Sequence, residues 1–317
     1  MSERDMLRLL RLVERNLGKE WVEIGDWLRG LPANQLAEIE AKLVIGDYGG
    51  LVSEVESAAR TFAAATQAEY ERAGRASAKW LDKQPKLAER LVRFDVTNDR
   101  AVRAAQRNEL ELVRGLTQEM RETIMRVVID GQRAGLNPRQ VARDIRDSIT
   151  LTPHQAQHVT NYRRALEQGD YGNALGRELR DARSDSRLRR LQRDGGQLTE
   201  KQIDTMVERY RKNYVAYRAE VIARTESAKN VHAGLSETFR QAIERGDIEA
   251  GELVREWHPG PATKDARDQH RTTALLDQRP GINEPFVMAD GTRIMWPGDG
   301  PPEHSANCRC TVSTTLA

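Results

Sequence analysis

The sequence predicts a mainly α protein, with an elongated helical N-terminal region followed by a small α+β C-terminal domain. Three observations predict it. Charged residues make up 31% of the chain against 38% hydrophobic and 5% aromatic, a balance that gives much surface for the volume, as extended helical proteins have. Apolar positions recur at helical spacing from the N-terminus to about Arg245. Beyond Arg245-Gly246-Asp247 the period changes to short β-compatible runs separated by Pro280, Pro285, Pro297, Pro301 and Pro302. The length of 317 residues suits about two domains, a helical region at 1–198 and, after the Gly195-Gly196 break, a long helix plus a small α+β unit at 199–317.

Taken in order, residues 5–44 predict two or three short amphipathic helices punctuated by Gly18, Gly25 and the Arg29-Gly30-Leu31-Pro32 break. Gly46-Asp47-Tyr48-Gly49-Gly50 reads as a loop. From Leu51 to Leu81 a narrow seam runs through Val55, Ala59, Phe62, Thr66, Ala73, Ala76 and Trp80, with small residues that permit close helix approach inside the chain or against another copy. Glu69 interrupts the seam unless it reaches solvent or pairs with Arg72. Thr97, Asn98 or Asp99 can cap the next helix, whose buried stripe is Val113, Leu116, Met120, Ile124 and Val127 and whose stop is Gly131 or Gly135.

Asn137-Pro138-Arg139-Gln140 and Thr152-Pro153-His154-Gln155 are two successive capping boxes with proline at the first helical position. They predict helices at 138–149 and 153–168. A helix-turn-helix DNA reader is disfavoured, because the second helix lacks a set of base-reading side chains on one face. The arginines between Arg177 and Arg193 alternate with acids, which describes a solvated face or a phosphate contact. After Gly195-Gly196 and Thr199-Glu200, a stripe through Ile203, Val207, Tyr210, Tyr214, Tyr217 and Val221 arrives at Arg224. An apolar seam ending in arginine is a local inconsistency, and it marks Arg224, Glu226 and Asn230 as an internal support or a ligand site.

The C-terminal domain gathers the unusual chemistry. Val254 to His258 reads as a strand, and Phe286 to Trp296 reads as a hairpin about Asp290-Gly291. Cys308 to Thr315 reads as a last strand, in which Cys308 and Cys310 share a face. With His270 and His304 they make a four-donor set suited to structural zinc; the alternative is a pair of small buried thiols, with His270 hydrogen-bonded to Asp265. The formal charge of +2 gives no bulk drive towards nucleic acid or an anionic membrane. No apolar run approaches a membrane span, and Met1-Ser2-Glu3-Arg4-Asp5 does not open an export signal, so a soluble chain made in the cytoplasm is expected.

The series Arg224-Thr225-Glu226, Asn230, Gly246, Trp257, Asp265-x-Arg267-x-x-His270, Pro285-Phe286 and Asn307-Cys308-Arg309-Cys310 resembles the phage Mu protein F-like minor head, or head-morphogenesis, family. The resemblance covers about residues 110–310, with 157 to about 215 longer than the link usual in the family. It implies a structural protein of the phage head that acts in capsid assembly or DNA packaging near the portal. The implied partners are the portal protein, the major capsid or scaffolding proteins, and packaged DNA through Arg177–Arg193. The implied location is the virion, after assembly in the host cytoplasm. It gives Arg224, Glu226, Asn230, Trp257, Asp265, Arg267, His270, Asn307, Cys308 and Cys310 structural rather than catalytic roles. The competing expectation is an enzyme packaged with the genome, nuclease-like or ADP-ribosyltransferase-like. Neither a metal-carboxylate cluster nor a glycine-rich phosphate loop supports it.

Overall fold

The computed structural model describes residues 1–29, 49–87, 92–148, 150–261 and 267–316. The architecture is mainly α with a small α+β C-terminal region. The long helices are α1 (Glu3–Arg29), α2 (Gly49–Leu81), α3 (Asp99–Arg133) and α8 (Glu200–Glu244). Between α3 and α8 come α4 (Pro138–Ser148), α5 (Pro153–Glu167), α6 (Tyr171–Leu175) and α7 (Asp185–Asp194). Then follow β1 (Leu253–His258), α9 (Thr273–Leu276), β2 (Phe286–Val287), β3 (Arg293–Ile294), α10 (Pro302–Ser305) and β4 (Thr311–Leu316). Among the described residues no helix is long and apolar enough to cross a membrane.

The chain divides into two compact units, and both draw on the long helices. Unit 1 comprises Met1–Trp21, Phe62–Leu110 and Glu220–Ala317; unit 2 comprises Val22–Thr61 and Glu111–Ala219. Residues 198 and 199 both fall in unit 2, so the expected boundary does not separate the units. The reason is that α1, α2, α3 and α8 each run from one unit into the other, so neither unit is one continuous stretch of sequence.

In unit 1, Trp21 packs edge-on to Phe62 at 5.2 Å, and Trp80 does the same to Phe239 at 6.1 Å. Glu69 is buried on the α2 seam and is held by Arg72 at 2.8 Å and by the Asn16 amide at 2.9 Å. Ala73 of the seam serves an internal contact, its Cβ 3.1 Å from where a Cβ on Gly234 would stand. A Cβ on Gly234 of α8 would lie 2.6 Å from the Tyr70 carbonyl and 3.0 Å from the Gly74 nitrogen, and Thr238 Oγ1 donates to the Gly74 carbonyl at 3.0 Å. The C-terminal part of the unit holds two two-stranded antiparallel sheets, β1–β4 with Trp257 opposite Val312, and β2–β3 with Phe286 opposite Ile294.

The expected breaks at Gly18 and Gly25 are absent, and α1 is continuous through both. Met6, Val13, Leu17, Trp21 and Ile24 form one buried stripe along it, and that burial outweighs the roughly 1 kcal/mol that each glycine costs a helix. The proposed break at Arg29-Gly30-Leu31-Pro32 and the loop from Gly46 lie mostly outside the described residues.

Unit 2 is organised by capped short helices. Asn137 and Gln140 exchange side-chain and backbone hydrogen bonds at 3.0 Å each, and Thr152 with Gln155 does the same at 3.1 Å. Tyr162 packs on Tyr210 at 4.3 Å. Arg163, buried on α5, reaches Asp204 at 2.7 Å and Asp147 at 3.3 Å. The α8 stripe departs from expectation after Tyr210: Tyr217 is exposed, while Arg211 and Arg218 are buried. Arg211 donates to the Asp147 carbonyl at 3.0 Å, and Arg218 donates to Glu119 at 3.0 Å.

Candidate metal centre

Three side chains converge beneath the β1–β4 sheet. His270 comes from a single 3-10 turn, Asp268–Arg271, and Cys308 and Cys310 from the segment that leads into β4, which begins at Thr311 and not at Cys308 as expected. All three are buried, and their donor atoms lie within 4.8 Å of one another, so the group can hold a metal ion. His270 Nδ1 stands 3.5 Å from Cys308 Sγ and 3.6 Å from Cys310 Sγ. Trp257 of β1 fixes the ring of His270 edge-on at 5.4 Å, and Phe286 backs Trp257 at 5.3 Å.

The thiols are not equivalent. A hydrogen bond from Cys308 holds the Cys310 thiol well below its ordinary range, helped by His270 and the Gly260 N–H, while the same bond and burial push Cys308 upward. Gly260 can present its N–H only because it lacks a side chain. A Cβ there would lie 2.6 Å from Arg309 Cβ and 2.7 Å from the Arg309 carbonyl oxygen.

His304, expected as a fourth ligand, takes a different place. Its Nδ1 meets His270 Nε2, the nitrogen turned away from the thiols, at 3.1 Å, and its own Nε2 meets Asp290 Oδ2 at 2.9 Å. The four donors read from the sequence thus become three around one point, with the fourth behind His270. The reason is geometric: His304 lies on α10, which ends before the turn at Ala306-Asn307 that carries the chain to the thiols.

The turn is fixed by the Arg224 segment. Asn307 adopts a left-handed backbone with φ of 56°, which Asn tolerates better than most residues. Its N–H donates to Thr225 Oγ1 at 2.8 Å, and its side-chain oxygen accepts from Arg224. Arg224 also pairs with Glu220, and with Glu14 at 3.1 Å. Asn230 is buried and donates to the Glu226 carbonyl at 2.8 Å. Arg267 closes the other side, donating to the carbonyls of Glu303 and, at 2.7 Å, Ala306. Asp265 lies outside the described residues.

Two further buried groups brace the module. His232 of α8 has Nδ1 2.7 Å from the Ala228 carbonyl and accepts the Val312 N–H at 3.1 Å on Nε2; burial holds it down to about 4. Arg255 of β1 donates to the carbonyls of Gly281 at 3.1 Å, Met295 at 2.5 Å and Glu284, and burial lowers it to about 10. Neither carries a local signal in the sequence, since each depends on partners far along the chain, Val312 for His232 and Gly281, Glu284 and Met295 for Arg255.

A cleft of about 470 Å3 adjoins the centre, with Leu7, Arg11, Arg224, Pro259, Cys308 and Cys310 in its wall. In unit 2, four of the seven arginines from Arg177 to Arg193 pair with aspartates of the same stretch: Arg180 and Arg189 with Asp185, Arg183 with Asp181, and Arg193 with Asp194. Compared with models of known families, with curated proteins and with solved structures, the chain matches none.

Proposed function

We propose that this chain is a minor head, or head-morphogenesis, protein of a tailed bacteriophage, and that its C-terminal module is clasped by zinc at His270, Cys308 and Cys310. The role is architectural: the chain acts in capsid assembly or DNA packaging near the portal, with the portal protein and the capsid or scaffolding proteins as partners. The observation that carries the reading is the interlock of the two motif halves. Arg224 and Thr225, on α8, are the groups that hold Asn307, at the head of the Cys308-Arg309-Cys310 run. Residues 82 and 83 positions apart are thus bonded to each other.

Zinc is favoured by donor type and spacing. A tetrahedral ion with Zn–S of about 2.3 Å and Zn–N of about 2.0–2.1 Å sets sulfur and nitrogen about 3.6 Å apart. The two sulfur–nitrogen distances are 3.5 and 3.6 Å. Three protein donors leave one of the four positions to water or another group.

That open position and the neighbouring cleft favour a second reading, an enzyme packaged with the genome, nuclease-like or ADP-ribosyltransferase-like. Two experiments divide the readings. Phage genomes deleted for this chain are expected to give no normally filled infectious particles, and imaging of wild-type particles is expected to find it at the portal vertex. Normal particles without it refute the head role. Purified protein incubated with DNA and divalent metal, or with labelled NAD, is expected to show no turnover; turnover lost in His270→Ala establishes the enzyme instead.

A further inference from the structure

We infer that His304 and Asp290 are the outer sphere of the metal centre: a carboxylate–imidazole–imidazole chain that fixes His270 as a ligand through Nδ1. The inference rests on the zinc reading above and deepens it. Neither residue is a metal ligand; both act through His270.

With an ion on His270 Nδ1, the hydrogen bonds along the chain have one arrangement. Asp290 stays ionised near neutral pH, since hydrogen bonds from Thr292 and His304 bring it down to about 2. An ionised carboxylate only accepts, so His304 Nε2, 2.9 Å away, carries a hydrogen. A His270 bound to the ion through Nδ1 keeps its hydrogen on Nε2, and His304 Nδ1 accepts it across 3.1 Å. His270 Nδ1, the atom facing both sulfurs, is the nitrogen that this arrangement gives to the ion. The tautomer required of the ligand is thus supported from the hairpin turn, through two rings stacked at 5.4 Å and 12°.

Asp290 owes its position to the hairpin. Its Oδ1 accepts the Thr292 N–H at 2.9 Å, while Met288 N–H bonds the Thr292 carbonyl and Gly291 N–H the Met288 carbonyl, each at 2.9 Å. The turn therefore delivers a carboxylate as well as reversing the chain. His270 and His304 are buried and the Asp290 side chain is 42% exposed, so the chain of groups runs from core to surface. Partners of this kind raise ligand basicity and fix ring orientation, and losing one typically weakens metal affinity by about 10- to 100-fold.

The test is zinc affinity, by chelator competition, for wild type, Asp290→Asn and His304→Ala, with nitrogen-15 spectra of the histidines in the zinc-loaded wild type. Asp290→Asn keeps an oxygen for the turn and removes only the charge, so it reports even if His304→Ala does not fold. Expected are losses of about 10-fold for Asp290→Asn and about 100-fold for His304→Ala, with His270 bound through Nδ1 and protonated at Nε2. Variants within twofold of wild type, or His270 bound through Nε2, overturn the outer-sphere role while the zinc site stands. A wild-type protein that takes up no zinc removes the metal reading first, and this inference with it.

Discussion

His232 makes a sharp prediction about acid. Burial holds it down to about 4 in the folded chain, against 6.5 when free, with the Nδ1–H on the Ala228 carbonyl and Nε2 accepting the Val312 N–H. The folded state therefore holds the neutral ring, and protonation favours unfolding. Its contribution to stability is complete above pH 6.5 and is lost as pH falls towards 4. A gap of 2.5 pKa units corresponds to about 3 kcal/mol at the acid limit, and to about 2 kcal/mol at pH 5. The assay is urea unfolding of wild type and His232→Gln at pH 8, 6, 5 and 4.5. Subtracting the variant cancels titrations common to both, and glutamine retains one donor and one acceptor. The difference between the two proteins is expected to change by about 2 kcal/mol between pH 8 and pH 5 in the sense that wild type loses more. A difference flat to within about 0.5 kcal/mol would show that the folded ring titrates normally and that its buried neutral bonding is wrong.

Other perturbations follow from the same packing. Gly234→Ala places a methyl against the Tyr70 carbonyl and the Gly74 nitrogen, both main-chain atoms, and is expected to cost about 1–3 kcal/mol in urea unfolding. Arg255→Met removes the donor shared by the carbonyls of Gly281, Glu284 and Met295, and a loss of about 2–4 kcal/mol is expected; a loss below about 0.5 kcal/mol would show those carbonyls satisfied in another way. Metal analysis is expected to find one zinc per chain, and free zinc at about a thousand times its dissociation constant is expected to add about 4 kcal/mol of stability, which Cys310→Ser abolishes. Less than about 0.2 zinc per chain in freshly purified protein counts against the site.

What the sequence reveals depends on how far away the deciding partner lies. The capping boxes at Asn137 and Thr152 and the hairpin at Asp290-Gly291 are legible because their partners are three or four residues away. The α8 seam is legible only to Tyr210. A repeat of 3.5 residues drifts about 20° per heptad on a straight helix, so Tyr217 turns outward and Arg211 and Arg218 turn inward. Their burial depends on Asp147 and Glu119, which no local pattern names. The same division holds at the centre. Cys308, Cys310 and His270 stand out by residue type, whereas His304 changes from ligand to support once its partner is known to be Asp290, a residue the sequence presents only as a turn.

The size of the C-terminal module explains why polar chemistry is concentrated there. Two two-stranded sheets are marginal structures, and the apolar cluster beneath them is Trp257, Leu275, Phe286, Met288, Ile294, Cys308, Cys310 and Val312, with Leu276 at its edge. So small a core contains both thiols, and the ring of His270 lies against its tryptophan. Loss of the centre therefore removes part of the core as well as a candidate metal site. Small scaffolds of this kind need staples, and here the staples join segments far apart in the chain: Arg224 to Asn307, Arg267 to Ala306, Arg255 to Met295, and His270 to both cysteines. A metal ion at the centre would connect the 3-10 turn to the β4 segment directly, and the hairpin through His304. On this account, zinc affinity and unfolding free energy move together in every variant of the module, and a variant that loses zinc at unchanged stability would separate the ion from the fold.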